Sequence, residues 1–244
     1  MDKKGNRVSQ ITANTLEEWG PTWISKNEIS FLRQEAKEIK IISLNLRTNQ
    51  ESTIKHPANC TIDDKNILYS KMNKTKLYAC NGDVFIEDYP TGTPVNLTKN
   101  MEGQSNYLDW VDEQSIIFTN NQTGNNEVYY YNITNKKLKN LTNSPANDER
   151  GSISPNGEFL VFSSDRYEKG NQEILLLNLE NQEILNISKS EGTELIGRWN
   201  KDGKRIYFGS NKDGNWEIYA YQISNQKTTQ LTFNDAFDGD PRVY

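Results

Sequence analysis

The sequence SPNGEFLVFS at residues 154–163 returns one repeat later as NKDGKRIYFGS at residues 200–210. Each copy has a short turn rich in Gly, Asn and Asp, followed by an apolar stretch with the length of a β-strand. A second phrase keeps the same spacing and reads GNNEV at 124–128, GNQEI at 170–174 and GNWEI at 214–218. The two phrases together predict a repeat made of short strands and tight turns.

A recurring dipeptide extends the repeat to the whole chain. Its copies stand 43, 43, 44, 46 and 44 positions apart. They are Ile11-Thr12, Ile54-Lys55, Leu97-Thr98, Leu141-Thr142, Ile187-Ser188 and Leu231-Thr232. A fixed period in this range is typical of repeat architectures, whose single units are too small to bury a core alone. We therefore predict one domain over residues 1–244.

One repeat, residues 194–232, reads as four antiparallel strands. Asp202-Gly203 supplies the positive φ that a tight hairpin needs. The predicted strands are Leu195–Trp199, Arg205–Gly209, Trp216–Gln222 and Thr228–Thr232. A four-stranded meander of this length is a propeller blade. The predicted fold class is thus all-β, a β-propeller of four-stranded antiparallel blades.

Four further repeats follow the same scheme, so that five units are complete. They cover residues 21–55, 67–98, 107–142 and 151–188. Two pieces remain: RVSQIT at 7–12 matches an outer fourth strand, and DPRVY at 240–244 matches the start of an inner first strand. Either the ring has five blades with extra terminal strands, or a sixth blade is incomplete.

The phrases SPNGEFLVFSSDR at 154–166, KDGNWEIYAYQ at 212–222 and TQLT at 229–232 resemble the TolB-like β-propeller repeat. That repeat is related to the propellers of prolyl-oligopeptidase-type proteins. The resemblance implies a propeller that binds a protein or peptide, typically in the bacterial envelope, and so favours an extracytoplasmic location. It also leaves open that the chain is a propeller domain of a larger envelope or peptidase protein.

The charge balance disfavours two classes of partner. The formal net charge is −5, and no basic block stands out, which argues against binding to a nucleic-acid backbone. No apolar run approaches the ~20 residues that span a bilayer. The first residues, MDKKGNRVSQ, lack the apolar segment of a signal peptide.

Carboxylates recur in the connection between a fourth strand and the next first strand. Propeller geometry is expected to gather these connections on one face, where the charges would attract a basic protein or peptide. The predicted binding residues are Glu17, Asp148, Glu194, Asp235 and Asp238. The competing interpretation is that each carboxylate only caps its own loop.

Catalytic and metal sites are weakly indicated. His56 is the only histidine and has no matching nucleophile, so we expect no catalytic role for it. The alternative to a binding module is a carbohydrate-active or hydrolytic enzyme that uses carboxylates in the axial channel. Asp235, Asp238 and Asp240 form a weak Ca²⁺ candidate, although loop capping explains them as well. We expect no cofactor.

The cysteines and tryptophans allow simple structural interpretations. Cys60 and Cys80 are interpreted as two unpaired small apolar residues, with a disulfide in an oxidising compartment as the alternative. Three tryptophans share one column of the first strand and are expected to pack between blades. They are Trp23, Trp110 and Trp199. Trp19 and Trp216 are less regular and are candidates for exposed contact residues.

Overall fold

The computed structural model describes residues 9–55, 57, 60, 66–72, 75–89 and 92–243. Within these ranges every regular element is a β-strand. The chain divides into two compact units, residues 1–100 and 101–244. Each unit is built from four-stranded antiparallel sheets in which neighbouring strands follow one another along the chain.

Unit 1 contains two sheets. The first sheet consists of β1 Glu18–Ser25, β2 Glu28–Glu35, β3 Glu38–Asn45 and β4 Glu51–Ile54. The second sheet consists of β5 Leu68–Tyr69, β6 Thr75–Cys80, β7 Asp83–Asp88 and β8 Val95–Asn96. Asn81 and Gly82 link β6 to β7, and both have positive φ (52° and 85°), as a two-residue type I′ hairpin turn requires.

Unit 2 contains three sheets. The first consists of β9 Ser105–Asp112, β10 Ser115–Asn120, β11 Glu127–Asn132 and β12 Leu138–Asn140. The second consists of β13 Asp148–Ile153, β14 Phe159–Glu168, β15 Asn171–Asn178 and β16 Ile184–Asn186. The third consists of β17 Glu194–Trp199, β18 Arg205–Ser210, β19 Glu217–Gln222 and β20 Lys227–Gln230.

These five sheets are the five predicted blades, so the all-β class and the five complete repeats are confirmed. The two leftover pieces have a different outcome. Residues 9–12 and 240–243 are not assigned as strands, and residues 7, 8 and 244 lie outside the described ranges. The prediction of a single domain over residues 1–244 stays a prediction.

The first strand of four blades contains the same β-bulge. Pairing with the second strand is interrupted at two residues, 20–21 in β1, 107–108 in β9, 150–151 in β13 and 196–197 in β17. The first residue of each bulge has positive φ: Gly20, Tyr107, Arg150 and Ile196, at 59°, 49°, 57° and 62°. A bulge bends the strand and redirects side chains. The bulge therefore changes the direction of the side chains at the same two positions in each of these four blades.

The core of unit 2 lies between neighbouring blades. Trp199 is buried and packs with Val161 and Ile174 of the preceding blade, and its indole Nε1 donates to the carbonyl of Ser152 at 3.1 Å. This confirms that Trp199 packs between blades. Gly197, one bulge residue, lies so close to Val161 that an added Cβ would approach Cγ2 to 2.7 Å. The tight contact requires glycine at this position.

Cys60 and Cys80 form a disulfide, with Cα atoms 5.2 Å apart. The interpretation as unpaired residues was therefore wrong. Cys80 ends β6 and lies in an apolar cluster with Tyr69 and Tyr78, which Cys60 joins from the connection before β5. Spacing in the sequence could not reveal this pairing, because Cys60 lies between the repeats 21–55 and 67–98 and neither cysteine recurs at the repeat spacing.

Across the described ranges, no helix is both long and apolar enough to span a bilayer.

Candidate functional site

The connection before the first strand carries a recurring polar motif. An Asn or Ser side chain donates to a carboxylate four residues later and accepts a backbone N–H two residues later. The four copies are Asn14–Glu18, Ser144–Asp148, Ser190–Glu194 and Asn234–Asp238. Side-chain hydrogen bonds of this kind fix the course of a loop. The structure thus gives these carboxylates a capping role.

Asp148 is fully buried at the start of β13. One of its oxygens, Oδ2, accepts from the hydroxyl of Ser144 at 2.7 Å and from Nη2 of Arg166 at 2.8 Å. Burial raises the pKa of this carboxyl, although hydrogen bonds from Ser164, Ser144 and Arg166 act against it. An enclosed carboxylate with these partners stabilises the loop rather than contacting a partner molecule.

Glu194 is fully buried at the equivalent position of β17. Its Oε1 accepts from the hydroxyls of Ser190 and Ser210, the latter at 2.8 Å. Burial raises the pKa of Glu194 against the lowering effect of these hydroxyls. Among the described residues no cation forms an ion pair with this carboxylate. Like Asp148, Glu194 is enclosed.

In unit 1 the motif carboxylate is Glu18, one residue after the predicted Glu17. Arg33 donates from Nε to Glu18 at 2.6 Å and contacts both oxygens of Glu51 at 2.7 Å. The hydrogen bonds from Thr12, Asn14 and Arg33 outweigh burial and lower the pKa of Glu18. Glu17 itself is exposed. Of the five predicted binding carboxylates, Glu17 is the one that lies in unit 1.

The last connection of unit 2, residues 233–238, differs from the other two. Asp235 is exposed, and Asp238 is half-buried with its Oδ2 accepting from Asn234 at 2.7 Å. Phe233 and Phe237 leave 74% and 69% of their surface exposed. The structure therefore groups two of the predicted acidic residues with two aromatic side chains that the sequence analysis did not single out.

Comparison of the repeats shows why these aromatic residues stand out. Phe233 occupies the position of Asn143 and Lys189, and Phe237 the position of Asn147 and Thr193. Trp216 likewise replaces the polar residues Asn126 and Gln172 of the preceding repeats. Trp216 is already a candidate contact residue from the sequence, and aligning the repeats column by column would also have revealed Phe233 and Phe237.

Two contacts hold this region in place. The rings of Trp216 and Phe237 lie 5.7 Å apart, and the backbone N–H of Asp238 donates to the carbonyl of Trp216 at 3.0 Å. Asn215 donates to the carbonyls of Asn234 and Ala236 at 2.9 and 2.7 Å. The loop is thus anchored to the turn before β19. We call Trp216, Phe233, Asp235, Phe237 and Asp238 the terminal patch.

The three carboxylates of the Ca²⁺ candidate are not brought together as ligands. Oδ2 of Asp238 accepts a hydrogen bond from Asn234, and Oδ1 of Asp240 lies 3.5 Å from Nε of Arg242. Within the described ranges, no group of three or more His, Cys, Asp or Glu side chains could hold a metal ion. His56 lies outside the described residues, so its predicted lack of a catalytic role stays a prediction.

No protein-family model matches the chain. Solved structures do resemble it. The structure of a putative TolB from Agrobacterium tumefaciens is 15% identical, with a TM-score of 0.76 over 91% of this chain and 83% of that chain. TolB from Acinetobacter baumannii is 16% identical, with a TM-score of 0.77 over 94% of this chain and 57% of that chain.

An oligogalacturonate lyase in complex with manganese is a more distant match. It is 11% identical, with a TM-score of 0.59 over 84% of this chain and 62% of that chain. At these identities the likeness concerns the fold, since one propeller scaffold hosts many functions. The resemblance noted in the repeat is confirmed at that level: the chain has the fold of a TolB-like β-propeller.

Proposed function

We propose that this protein is a non-enzymatic binding module that recognises a protein or peptide through the terminal patch. The observation that carries the proposal is the exposure of Phe233 and Phe237 on one short connection. Both positions are polar in the neighbouring repeats of unit 2, so the repeat itself does not require an aromatic residue there.

Exposed aromatic side chains favour association. Burying a Phe side chain contributes roughly 1.5–3 kcal/mol, and aromatic residues are common among the few residues that dominate binding energy. Trp216, half-buried beside Phe237, adds a ring to the same surface. The surrounding backbone is held by Asn215, so little ordering is needed when a partner binds.

The charges of the terminal patch favour a basic partner. Asp235 and Asp238 are both accessible, whereas Asp148 and Glu194 are enclosed. Two accessible carboxylates beside aromatic rings suit a segment that combines apolar and basic residues. Electrostatic attraction of this kind acts mainly on the association rate and weakens as salt rises.

The disulfide supports an extracytoplasmic location for this activity. Disulfides persist in oxidising compartments and are rare in the cytosol. The pair Cys60–Cys80 lies in an apolar cluster of unit 1, where it links the end of β6 to the preceding connection. We therefore propose an extracytoplasmic location for the binding module, which the envelope role implied by the repeat resemblance also favours.

The test is selection from a displayed library of short peptides on the wild-type protein, followed by calorimetry. Exchanging both Phe233 and Phe237 for Ala is expected to lower the affinity of the selected peptides at least tenfold. Tyr167→Ala is the matched control, because Tyr167 is an aromatic residue of unit 2 that is 59% exposed. The affinity of the Tyr167→Ala protein for the selected peptides is expected to stay at the wild-type value.

If peptides bind the Phe233→Ala, Phe237→Ala protein as tightly as wild type, with the circular dichroism spectrum unchanged, the terminal patch is not the binding surface.

A further inference from the structure

A solvent-facing cavity of about 390 Å³ lies in unit 1, beside the connection that leads into β1. Its volume is in the range of small-molecule sites, which combine apolar walls with a few polar groups. Its lining includes three apolar side chains, Ile11, Leu16 and Leu44, and two charged ones, Arg33 and Glu51. We call it the unit 1 cavity.

The apolar wall formed by Ile11 is open to solvent. Ile11 leaves 53% of its surface exposed. Its counterparts in the repeats of unit 2 are buried, and each donates its backbone N–H to the third strand of its own blade. These counterparts are Leu141, Ile187 and Leu231. None of the described strands pairs with residue 11, so its apolar side chain faces the cavity without the cover that the other repeats provide.

Leu16 forms a second accessible wall and departs from the repeat. Its backbone N–H donates to Oδ1 of Asn14 at 2.8 Å, which is the bond that fixes this loop in all four copies of the polar motif. The equivalent residues are small and are Ala146, Gly192 and Ala236. Leu16 leaves 45% of its surface exposed. The loop therefore does not require a large apolar side chain here, and the leucine is available to a ligand.

The polar end of the cavity carries more negative than positive charge. Arg33 donates from Nε to Glu18 at 2.6 Å and from its two Nη atoms to the two oxygens of Glu51 at 2.7 Å. The hydrogen bonds from Arg33 lower the pKa of Glu51, and the pKa of Glu18 is lowered as well, so both carboxylates are charged at neutral pH. Two carboxylates thus face one guanidinium group, which disfavours an anionic ligand.

Glu51 is the charged group that a ligand can reach. Its side chain is 41% exposed, whereas the side chains of Arg33 and Glu18 are 8% and 14% exposed. A carboxylate has about four lone-pair sites, and Arg33 uses one site on each oxygen. Glu51 also lies directly opposite Leu44 on the neighbouring strand, so an accessible acceptor adjoins the apolar part of the cavity.

We propose that the unit 1 cavity binds an amine that carries an apolar chain, with the ammonium group on Glu51 and the chain against Ile11 and Leu16. An ammonium group has three donors and no acceptor, so it suits a carboxylate that keeps unused lone pairs. The chain would cover apolar surface that is now exposed to water. All residues of the site lie in unit 1, so the proposal is independent of peptide binding by the terminal patch in unit 2.

The experiment follows the ¹H–¹³C methyl signals of Ile11 and Leu16 in the full chain by NMR while a probe is added. The probes share one alkyl chain and are hexylamine, hexanol and sodium hexanoate. We expect saturable shifts of both signals with hexylamine. Hexanol should bind about tenfold more weakly, because it lacks the bond between two charged groups, and hexanoate should give no saturable shift.

Variants separate the apolar walls from the charge. Leu16→Ala is expected to weaken hexylamine binding about fivefold through lost apolar contact. Glu51→Gln should reduce the affinity for hexylamine to that for hexanol. Leu16→Ala is expected to fold, because two repeats of unit 2 carry Ala at this position, so it tests the site even if Glu51→Gln does not fold. Val95→Ala is the control, since Val95 is an exposed apolar residue of unit 1 outside the cavity.

Three results would overturn the proposal. The first is that hexanol or hexanoate binds as tightly as hexylamine, which would show that the charge of Glu51 selects nothing. The second is that Leu16→Ala binds hexylamine like wild type. The third is that the two methyl signals shift with protein concentration in the absence of a probe, which would show that a second copy of the chain occupies the cavity.

Discussion

The connections 144–148 and 234–238 share one motif but differ in burial. In the first, Asp148 is enclosed by Ser144, Ser164 and Arg166. In the second, Asp238 accepts a bond from Asn234 and remains half-exposed. The second strand of a blade provides the enclosing groups for Asp148, and no described strand pairs with residues 238–243. The same residue type is therefore structural in one place and available for binding in the other.

Replacement of the two aspartates by alanine tests this contrast most strongly. Asp148→Ala removes the carboxylate that accepts hydrogen bonds from Arg166, Ser144 and Ser164. This loss is expected to lower the free energy of unfolding by about 3–4 kcal/mol. Asp238→Ala removes one hydrogen bond at a half-exposed site and is expected to cost less than about 1 kcal/mol. Urea unfolding measures both. Equal losses for the two variants would contradict the contrast.

The disulfide provides a comparison between the two units. Cys60 and Cys80 are 20 residues apart, and opening a loop of that length is expected to cost about 3 kcal/mol. Reduction should therefore increase hydrogen exchange in β6 and β7 of unit 1, while the sheets of unit 2 keep their protection. Cys60→Ala with Cys80→Ala should reproduce the effect without reductant. If β6 and β7 exchange equally fast before and after reduction, the disulfide does not stabilise this blade.

A smaller effect is expected from the accessible charges. Replacing Asp235 and Asp238 by Asn retains side-chain acceptors but removes two charges. The affinity for a selected basic peptide should fall about threefold at low salt, because the two carboxylates that attract the peptide are removed. The affinity should also lose most of its salt dependence, since salt acts by screening this attraction. Glu180→Gln with Glu183→Gln, on an exposed turn of unit 2, is the matched control. An unchanged salt dependence in the aspartate variant would reject the basic partner.

The smallest expected effect concerns the buried Glu194. Because its folded pKa is raised, the native state takes up a proton before the unfolded chain does as the pH falls. Wild-type stability should therefore increase relative to Glu194→Gln as the pH falls from neutral through the folded pKa toward 4.5, and the difference should be constant above that range. Unfolding measured at several pH values tests the sign. A relative loss of wild-type stability on acidification would show that the carboxylate is favoured in its charged form.

The fold was more predictable than the site for a physical reason. Turn residues and apolar strands recur at a fixed spacing, so GNQEI and GNWEI alone place two blades in register. Asp148 is enclosed by Ser164 and Arg166, and Glu194 is bonded by Ser210. These partners lie on the next strand, so a search of the sequence for carboxylates does not find them. Phe233 and Phe237 of the terminal patch were detectable, because each replaces a polar residue of the preceding repeats, but only when the repeats are compared position by position.

Amide hydrogen exchange with and without a selected peptide shows which connection of unit 2 the peptide covers. We expect the peptide to slow exchange at residues 233–238 and around Trp216, while residues 144–148 and 190–194 exchange as they do in the free protein. Protection confined to the two enclosed connections, with none at residues 233–238, would show that the terminal patch is not the binding surface.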